Sequence, residues 1–394
     1  MSVSLINRIK YSKLLYKIYY HCGNFAIACL KLFIKPQNDL IVFVSFGGRK
    51  YDDSPRCIYE QMTDDHRFDQ YKFVWAFIDP ARHVIARGEK IKIDTFKYFK
   101  TILAARCWIT NSSVERGLSF KGKNVFYFNT WHGTPIKKMG SDIDANSQAF
   151  SSKGKDTVTD IMLAQGQYEA DIFSRVFNID IDRFRIIGLP RNDELVPNND
   201  AHKDIREKIF KTLHIPTDKK IILYAPTFRE YLKEDNNCII APPIDLNKWK
   251  ARLSDEYVVL FRAHYEITKA LNIVEDSFTY NVSDYGNLNE LMIASDVLIS
   301  DYSSIFFDYS ILNKPMFCFA YDYEEYSTKR GLYFDMRPEL GSQHIATEDD
   351  LLDAITTMDE EVAKRYCQEF RDKYITAYGE AAKLSADIIY NAIK

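Results

Sequence analysis

Two histidines carry most of the chemistry this sequence offers. His132 stands in NTWHGTPIKKMG (129–140), where the apolar run VFYF stops at Trp131-His132-Gly133-Thr134-Pro135 and two lysines, Lys137 and Lys138, follow. A turn needs Gly or Pro, but it needs no imidazole. An imidazole titrates near neutrality and can take the proton of an attacking hydroxyl. Neighbouring lysines would lower its pKa by like-charge repulsion and draw in an anionic substrate, and Gly133 would let that substrate approach the backbone. His264 lies in FRAHYEI (261–267), two residues after Arg262. Strand alternation puts those two side chains on one face, a guanidinium beside an imidazole, which suits an anionic oxygen.

Other polar groups fall at similar places. In SDYSSIFFDY (300–309) a strand ends, Asp301-Tyr302-Ser303-Ser304 form a turn, and an apolar helical run begins at Ile305. Such a helix start offers unpaired N–H groups and two serine hydroxyls to a phosphate. YAPTFRE (224–230) brings Thr227 and Arg229 to another strand end, and GLPRND (188–193) offers Arg191 and Asp193. Each has a plainer reading as well: a helix cap, a structural strand-end histidine, or ordinary turn residues. The pairs Asp142/Asp144 and Asp180/Asp182 resemble a D-x-D string but fall in polar loop and turn sequence, so they read as solvated and no metal site is assigned. Mg²⁺ accompanying a diphosphate with few protein ligands stays open.

These groups need elements to hold them. From residue 39 onward, short β-branched and aromatic runs (DLIVFVSF, YKFVWAF, CWIT, NVFYFNT) alternate with helical patterns (SPRCIYEQM, DTFKYFKTILAA). A second series, KKIILYAPTF, YVVLFRAH, FTYNV, DVLIS and KPMFCFAY, follows LPRNDELVPNND and alternates with DLNKWKARL, NLNELMIA, SSIFFDYSIL and EDDLLDAITTM. Strand–helix alternation predicts parallel sheets covered on both faces. The expectation is an α/β chain of two doubly wound Rossmann-like domains, 39–190 and 191–372, with a last helix in 373–394 that could cross back to the first domain. Ligands of such folds bind outside the carboxyl ends of the strands, and every motif above sits at such an end. Two domains facing across a cleft would bring His132 and His264 to one ligand.

Length and composition agree. A chain of 394 residues favours two domains, and 46% hydrophobic with 27% charged residues is globular. Seven scattered cysteines without a C-x-x-C argue for a reducing compartment. The net charge of −3 hides an asymmetry: Arg8, Lys10, Lys13, Lys17, Lys31 and Lys35 all precede the first acidic residue, Asp39. A uniformly basic nucleic-acid binder is excluded.

The basic segment 1–38 contains no apolar stretch of about 20 residues and no small-residue cleavage site. Leu14, Leu15, Ile18 and Tyr19 recur at helical spacing between lysines. Two placements suit such an amphipathic helix: lying in an anionic membrane surface through residues 1–35, or packed on its own domain.

Taken together, FNTWHGTPIKKMG, GLPRND, YAPTFRE, the Arg-x-His strand end and DVLISDYSSIFFDYSILNKP resemble, in this order, the CDP-glycerol glycerophosphotransferase family of teichoic-acid primases and polymerases. VSFGGRKYDDSPRCIYEQM (44–62) and RGLYFDM (330–336) look like family segments too, and the resemblance covers about residues 40 to 340. It implies a GT-B fold, an acceptor domain followed by a nucleotide domain, a CDP-glycerol donor, and an acceptor that is a lipid-linked saccharide or polyol phosphate at the cytoplasmic face of the membrane. The family's proposed base falls on His132, its diphosphate-binding His on His264, and its Asp-Tyr-Ser-Ser turn on Asp301, Ser303 and Ser304. The chain departs from the family at Tyr265, Phe228, Glu230 and the GLPRND stretch, which leaves glycerol against ribitol open. A glycosyltransferase using a nucleotide sugar, or a non-catalytic scaffold, would share the fold. The length fits a primase or capsule-type transferase.

Overall fold

The computed structural model describes residues 12–143, 159–197, 199–227, 229, 242–263 and 275–394. Two compact units emerge, one of residues 1–133, 139–193 and 376–394, the other of residues 134–138 and 194–375.

In the first unit, seven parallel strands form one sheet in the order β3-β2-β1-β4-β5-β6-β7. They are β1 (Leu40–Val44), β2 (Lys72–Phe77), β3 (Glu89–Lys92), β4 (Cys107–Thr110), β5 (Phe126–Asn129), β6 (Ile161–Ala164) and β7 (Phe184–Ile186). Period-two alternation divides the apolar side chains between two cores. Ile41, Phe43, Phe73, Trp75 and Phe128 pack on one face with Tyr59, Met62, Ile389 and Ile393. Val42, Val44, Val74, Trp108 and Tyr127 pack on the other with Ile27, Tyr98 and Ile102. Both faces are covered, as parallel sheets require.

Local sequence starts the helices. Asp52 accepts the Asp53 N–H at 2.8 Å to open Asp53–Thr63, and the Thr95 hydroxyl accepts the Tyr98 N–H at 3.2 Å to open Phe96–Ala104. The helix Gln167–Phe177 ends on Asn178 in the left-handed region (φ 51°).

The amphipathic N-terminal segment forms the helix Lys13–Lys31. One side docks on its own unit: Ile27 is buried, and the Tyr19 and Tyr16 hydroxyls donate to the carbonyls of Arg116 (2.7 Å) and Gly117 (3.1 Å). The opposite side keeps Leu14, Ile18 and Phe25 exposed, followed by Leu32 and Phe33. No described helix is long and apolar enough to cross a membrane.

In the second unit, five parallel strands run in the order β10-β9-β8-β11-β12: β8 (Lys220–Tyr224), β9 (Tyr257–Phe261), β10 (Thr279–Asn281), β11 (Val297–Ser300) and β12 (Met316–Cys318). Ile222, Tyr224, Val259, Phe261 and Ile299 meet Trp249, Leu253, Leu351 and Ile355 of the covering helices.

Candidate active site

In the first unit the chemistry gathers beyond the carboxyl ends of β1, β4 and β5. β5 stops at Asn129, whose side chain donates to the Ser112 carbonyl (3.1 Å) and accepts the Trp131 N–H (2.9 Å). The chain then turns through Trp131 at φ 51°, a left-handed conformation uncommon for a non-glycine residue. The turn stacks the indole on the His132 ring, centroids 4.4 Å apart and planes 25° from parallel, with Phe177 (4.6 Å) and Phe173 (5.8 Å) against the indole.

His132 Nδ1 lies 2.6 Å from the backbone oxygen of Asn111, the residue that follows β4. A carbonyl can only accept, so Nδ1 carries the hydrogen and Nε2 holds the lone pair. Asn111 also fixes the loop after β1: its Oδ1 accepts the Phe46 N–H at 2.7 Å, and the neighbouring Ser112 hydroxyl accepts the Gly47 N–H at 3.0 Å. The Phe46 ring stands 5.6 Å from the imidazole. The His132 side chain is open enough to solvent for a substrate to reach it. The surrounding protein nevertheless withdraws it from water, and this holds its pKa below the ordinary imidazole value. The Asn111 carbonyl and Asp53 oppose that shift, while Arg191 and Arg49 reinforce it. The direction is the one expected from the sequence, but the cause is desolvation and two arginines rather than the lysines.

Lys137 and Lys138 belong to the second unit. Lys137 bridges to Leu332, the Lys138 N–H donates to the Gly331 carbonyl at 3.0 Å, and the Lys138 carbonyl accepts from Arg330 at 2.7 Å. Thr134, in the same segment, is buried.

Arg191 pairs with Asp53 at 3.1 Å, both side chains being about one-tenth exposed, and its N–H donates to the Ser54 hydroxyl. Asp193, expected to face a ligand, instead accepts the N–H groups of Ala381 (2.9 Å) and Ala382 (2.7 Å). It caps the helix Ala381–Ile393, whose first N–H groups have no partner within the helix.

Around β8, β11 and β12 of the second unit, Arg229 and Asp301 also differ from expectation. Rather than facing a ligand they face each other, Arg229 Nη1 donating to Asp301 Oδ2 at 2.8 Å with both side chains nearly fully buried. The other Asp301 oxygen accepts the N–H groups of Thr227 (2.9 Å) and Tyr302 (2.7 Å). Burial opposes charge on Arg229, but Asp301 and Asp322 more than offset it and raise its pKa. Thr227, Ser303 and Ser304 keep hydroxyls at these strand ends: Thr227 Oγ1 has no partner, Ser304 Oγ makes no cap, and Ser303 Oγ accepts the Ile305 N–H at 3.3 Å. Arg262 Nη1 donates to the carbonyls of Val282 (3.0 Å) and Tyr285 (2.8 Å). His264, Phe228, Glu230 and Tyr265 lie outside the described residues.

Among the described residues no cluster of three or more His, Cys, Asp or Glu side chains could hold a metal ion. Asp142 pairs with Arg175 at 2.6 Å and Asp180 lies 3.6 Å from Arg183, while Asp144 lies outside the described residues.

Three participants escaped sequence reasoning. Asn111 and Asp53 had a signal, since each stands in a polar run after a strand end (ITNSS, KYDDSP). Asp322 had none, because only the sheet order brings the residues after β12 beside those after β8 and β11.

The chain resembles known proteins in sequence and in fold. The family profile described as CDP-Glycerol:Poly(glycerophosphate) glycerophosphotransferase matches residues 27–393. A teichoic acid poly(glycerol phosphate) polymerase of Staphylococcus epidermidis is 34% identical over 92% of the chain, which spans only 51% of that protein. A teichoic acid glycerol-phosphate transferase of Staphylococcus aureus is 32% identical over 82% of the chain and 85% of its own length. The solved wall teichoic acid polymerase TagF superposes with a TM-score of 0.82 at 30% identity, over 96% of this chain and 97% of that one. A TagF variant soaked with CDPG gives 0.80 at 29%, over 100% and 98%. The likeness to TagF makes this a fold of the GT-B type, and the chain belongs to the CDP-glycerol:poly(glycerophosphate) glycerophosphotransferase family.

Proposed function

We propose that the protein transfers glycerol phosphate from CDP-glycerol to a hydroxyl of a lipid-linked saccharide or polyol-phosphate acceptor in teichoic-acid or capsule-type polymer synthesis. The acceptor oxygen attacks the glycerol-bearing phosphorus, a new P–O bond forms, and the bond to the bridging oxygen breaks, so that CMP leaves. The acceptor proton passes to Nε2 of His132. The observation that carries this reading is the 2.6 Å bond from Nδ1 to the Asn111 carbonyl, which leaves Nε2 as the basic nitrogen. Phosphoryl-group transfer depends chiefly on positioning and charge stabilisation. The hydroxyls of Thr227, Ser303 and Ser304, with Arg262 and His264, take the donor's phosphates in this scheme. Any Mg²⁺ would ride on the diphosphate oxygens, with few ligands from the chain.

The acceptor is carried by a membrane lipid, and the helix Lys13–Lys31 suits an enzyme held peripherally at the cytoplasmic face. Its docked side leaves an apolar strip outward, with Lys13, Lys17 and Lys31 on the same helix for anionic headgroups.

The deciding experiment incubates the protein with CDP-glycerol, CDP-ribitol, UDP-sugars and GDP-sugars and a synthetic undecaprenyl-linked disaccharide. CMP release and product masses are scored. CDP-glycerol is expected to give CMP and a product heavier by one or more glycerol phosphate units. Turnover of nucleotide sugars alone, or of CDP-ribitol alone, overturns the reading.

A further inference from the structure

We propose that Arg229 is a positioning residue for donor binding: its buried guanidinium locks together three strand-end loops of the second unit and does not itself touch the diphosphate. The inference rests on the donor assignment above.

The geometry is specific. Nε and Nη2 reach the two oxygens of Asp322 at 2.7 and 2.8 Å, a bidentate pair, while Nη1 reaches the Thr227 carbonyl at 2.6 Å and Asp301 Oδ2 at 2.8 Å. Thr227 follows β8, Asp301 follows β11, and Asp322 lies beyond β12, and these strands are consecutive neighbours in the sheet. Four of the five guanidinium N–H groups are thus committed to protein oxygens. The rings of Tyr302, Tyr321 and Tyr326 stand about the cation at 5.0, 5.1 and 5.0 Å. Tyr302 stacks on Tyr326 with centroids 3.8 Å apart, and its hydroxyl donates to Asp322 at 2.9 Å. The Arg229 side chain is 2% exposed, so no face is left for a ligand oxygen.

What the clamp fixes is Thr227, whose Oγ1 is buried. Its N–H is held by Asp301 and its carbonyl by Arg229, so its backbone is fixed on both sides while its hydroxyl has no partner. A hydroxyl fixed in this way costs little further ordering when a ligand binds. Lysine cannot substitute, because a point charge cannot bridge two carboxylates and a carbonyl in one plane.

Two variants test the idea, Arg229→Lys and Asp322→Asn, each confirmed folded by circular dichroism. CDP-glycerol affinity is read by calorimetry and the KM of donor and acceptor by steady-state kinetics. The expected result is a tenfold or greater weakening of CDP-glycerol binding in both variants, with donor KM rising in step and acceptor KM within twofold of the parent. Asp322→Asn decides between roles because it spares the cation. If it binds CDP-glycerol as well as the parent or better, while Arg229→Lys binds poorly, Arg229 is a direct ligand and the proposal is overturned. Donor affinity within twofold of the parent in both folded variants also overturns it. Should Arg229→Lys fail to fold, Asp322→Asn and Tyr302→Phe carry the test, and unaltered donor affinity in both sinks it. Failure of the parent protein to bind CDP-glycerol would refute the donor assignment instead, a separate result.

Discussion

The Nδ1 atom of His132 is bonded to the backbone oxygen of Asn111, 2.6 Å away, so a main-chain group sets the tautomer of the candidate base. No side-chain substitution at position 111 removes that carbonyl. The bond ties the chemistry to the way β4 ends rather than to a carboxylate partner, and the imidazole keeps a low affinity for protons.

Replacing His132 with Ala is therefore expected to reduce kcat by roughly 10²–10⁴-fold, the usual contribution of a general base. CDP-glycerol affinity should stay within a few-fold of the parent, because the residues proposed to bind the donor belong to the second unit. Single-turnover kinetics with separate calorimetry checks both, and near-parental turnover would remove His132 from the mechanism.

The pH dependence has a definite sign. With its pKa held below 6.5, principally by desolvation, His132 stays neutral and basic across the neutral range. The midpoint of the acid limb of kcat/KM should therefore lie below the ordinary imidazole value, with full activity on its alkaline side. Stability follows the same residue: the unfolded chain binds the proton more readily than the folded one. The contribution from neutral His132 is thus present above the unfolded pKa and lost as pH drops through the folded value. A rate profile with an acid limb centred above pH 7 would contradict this.

Asp193→Ala should uncap the helix Ala381–Ile393 and cost about 1 kcal/mol, in the range of a lost helix cap. Asp193→Asn keeps an acceptor oxygen and should cost less. Thermal unfolding of the two variants, run side by side, reads the difference.

Gly188 adopts φ 88°, and a Cβ there would lie 2.7 Å from the Ala377 carbonyl oxygen. Gly188→Ala should destabilise by at least about 1–3 kcal/mol through backbone strain alone. Limited proteolysis should then cut first near residues 376–380. Parental melting temperature and cleavage pattern would show that this contact is unimportant.

On the helix Lys13–Lys31, Ile18→Glu combined with Phe25→Glu alters only the outward side. The pair should lower partitioning onto anionic vesicles by at least about tenfold, since each buried apolar side chain contributes roughly 1.5–3 kcal/mol. Unfolding should be unchanged. Parental binding should weaken with added salt. Sedimentation with phosphatidylglycerol vesicles provides the readout, and equal binding by parent and variant would mean that this side has another use.

Much of the framework was legible because buried parallel strands announce themselves. LIVFV and KFVWAF are runs that only a doubly covered sheet can use. Three strands were not read: EKIK is largely exposed at the sheet edge, while IMLA and FRI lack an uninterrupted run of β-branched and aromatic residues. The site was legible in part for a similar reason. Polar residues at strand ends mark where ligands can bind, but they do not reveal which way each side chain turns. Asp193, Arg229 and Asp301 have the composition of ligand-binding residues, yet each is engaged by the protein. Their partners are up to 189 residues away in sequence, and no local pattern encodes that pairing. His132 drew attention because an imidazole between Trp131 and Gly133, followed by Lys137 and Lys138, is more than a turn requires.

The segment 376–394 completes the unit that begins at the other terminus. Its Ala386, Ile389 and Ile393 fill the same core as Ile41, Phe43 and Trp75. During synthesis, therefore, strands β1 and β2 must wait for residues 376–394 before their core can close, while everything between 194 and 375 is translated first. Newly made chains should be at their most vulnerable to aggregation in that interval, and deleting residues 383–394 should injure the unit built from residues made long before them.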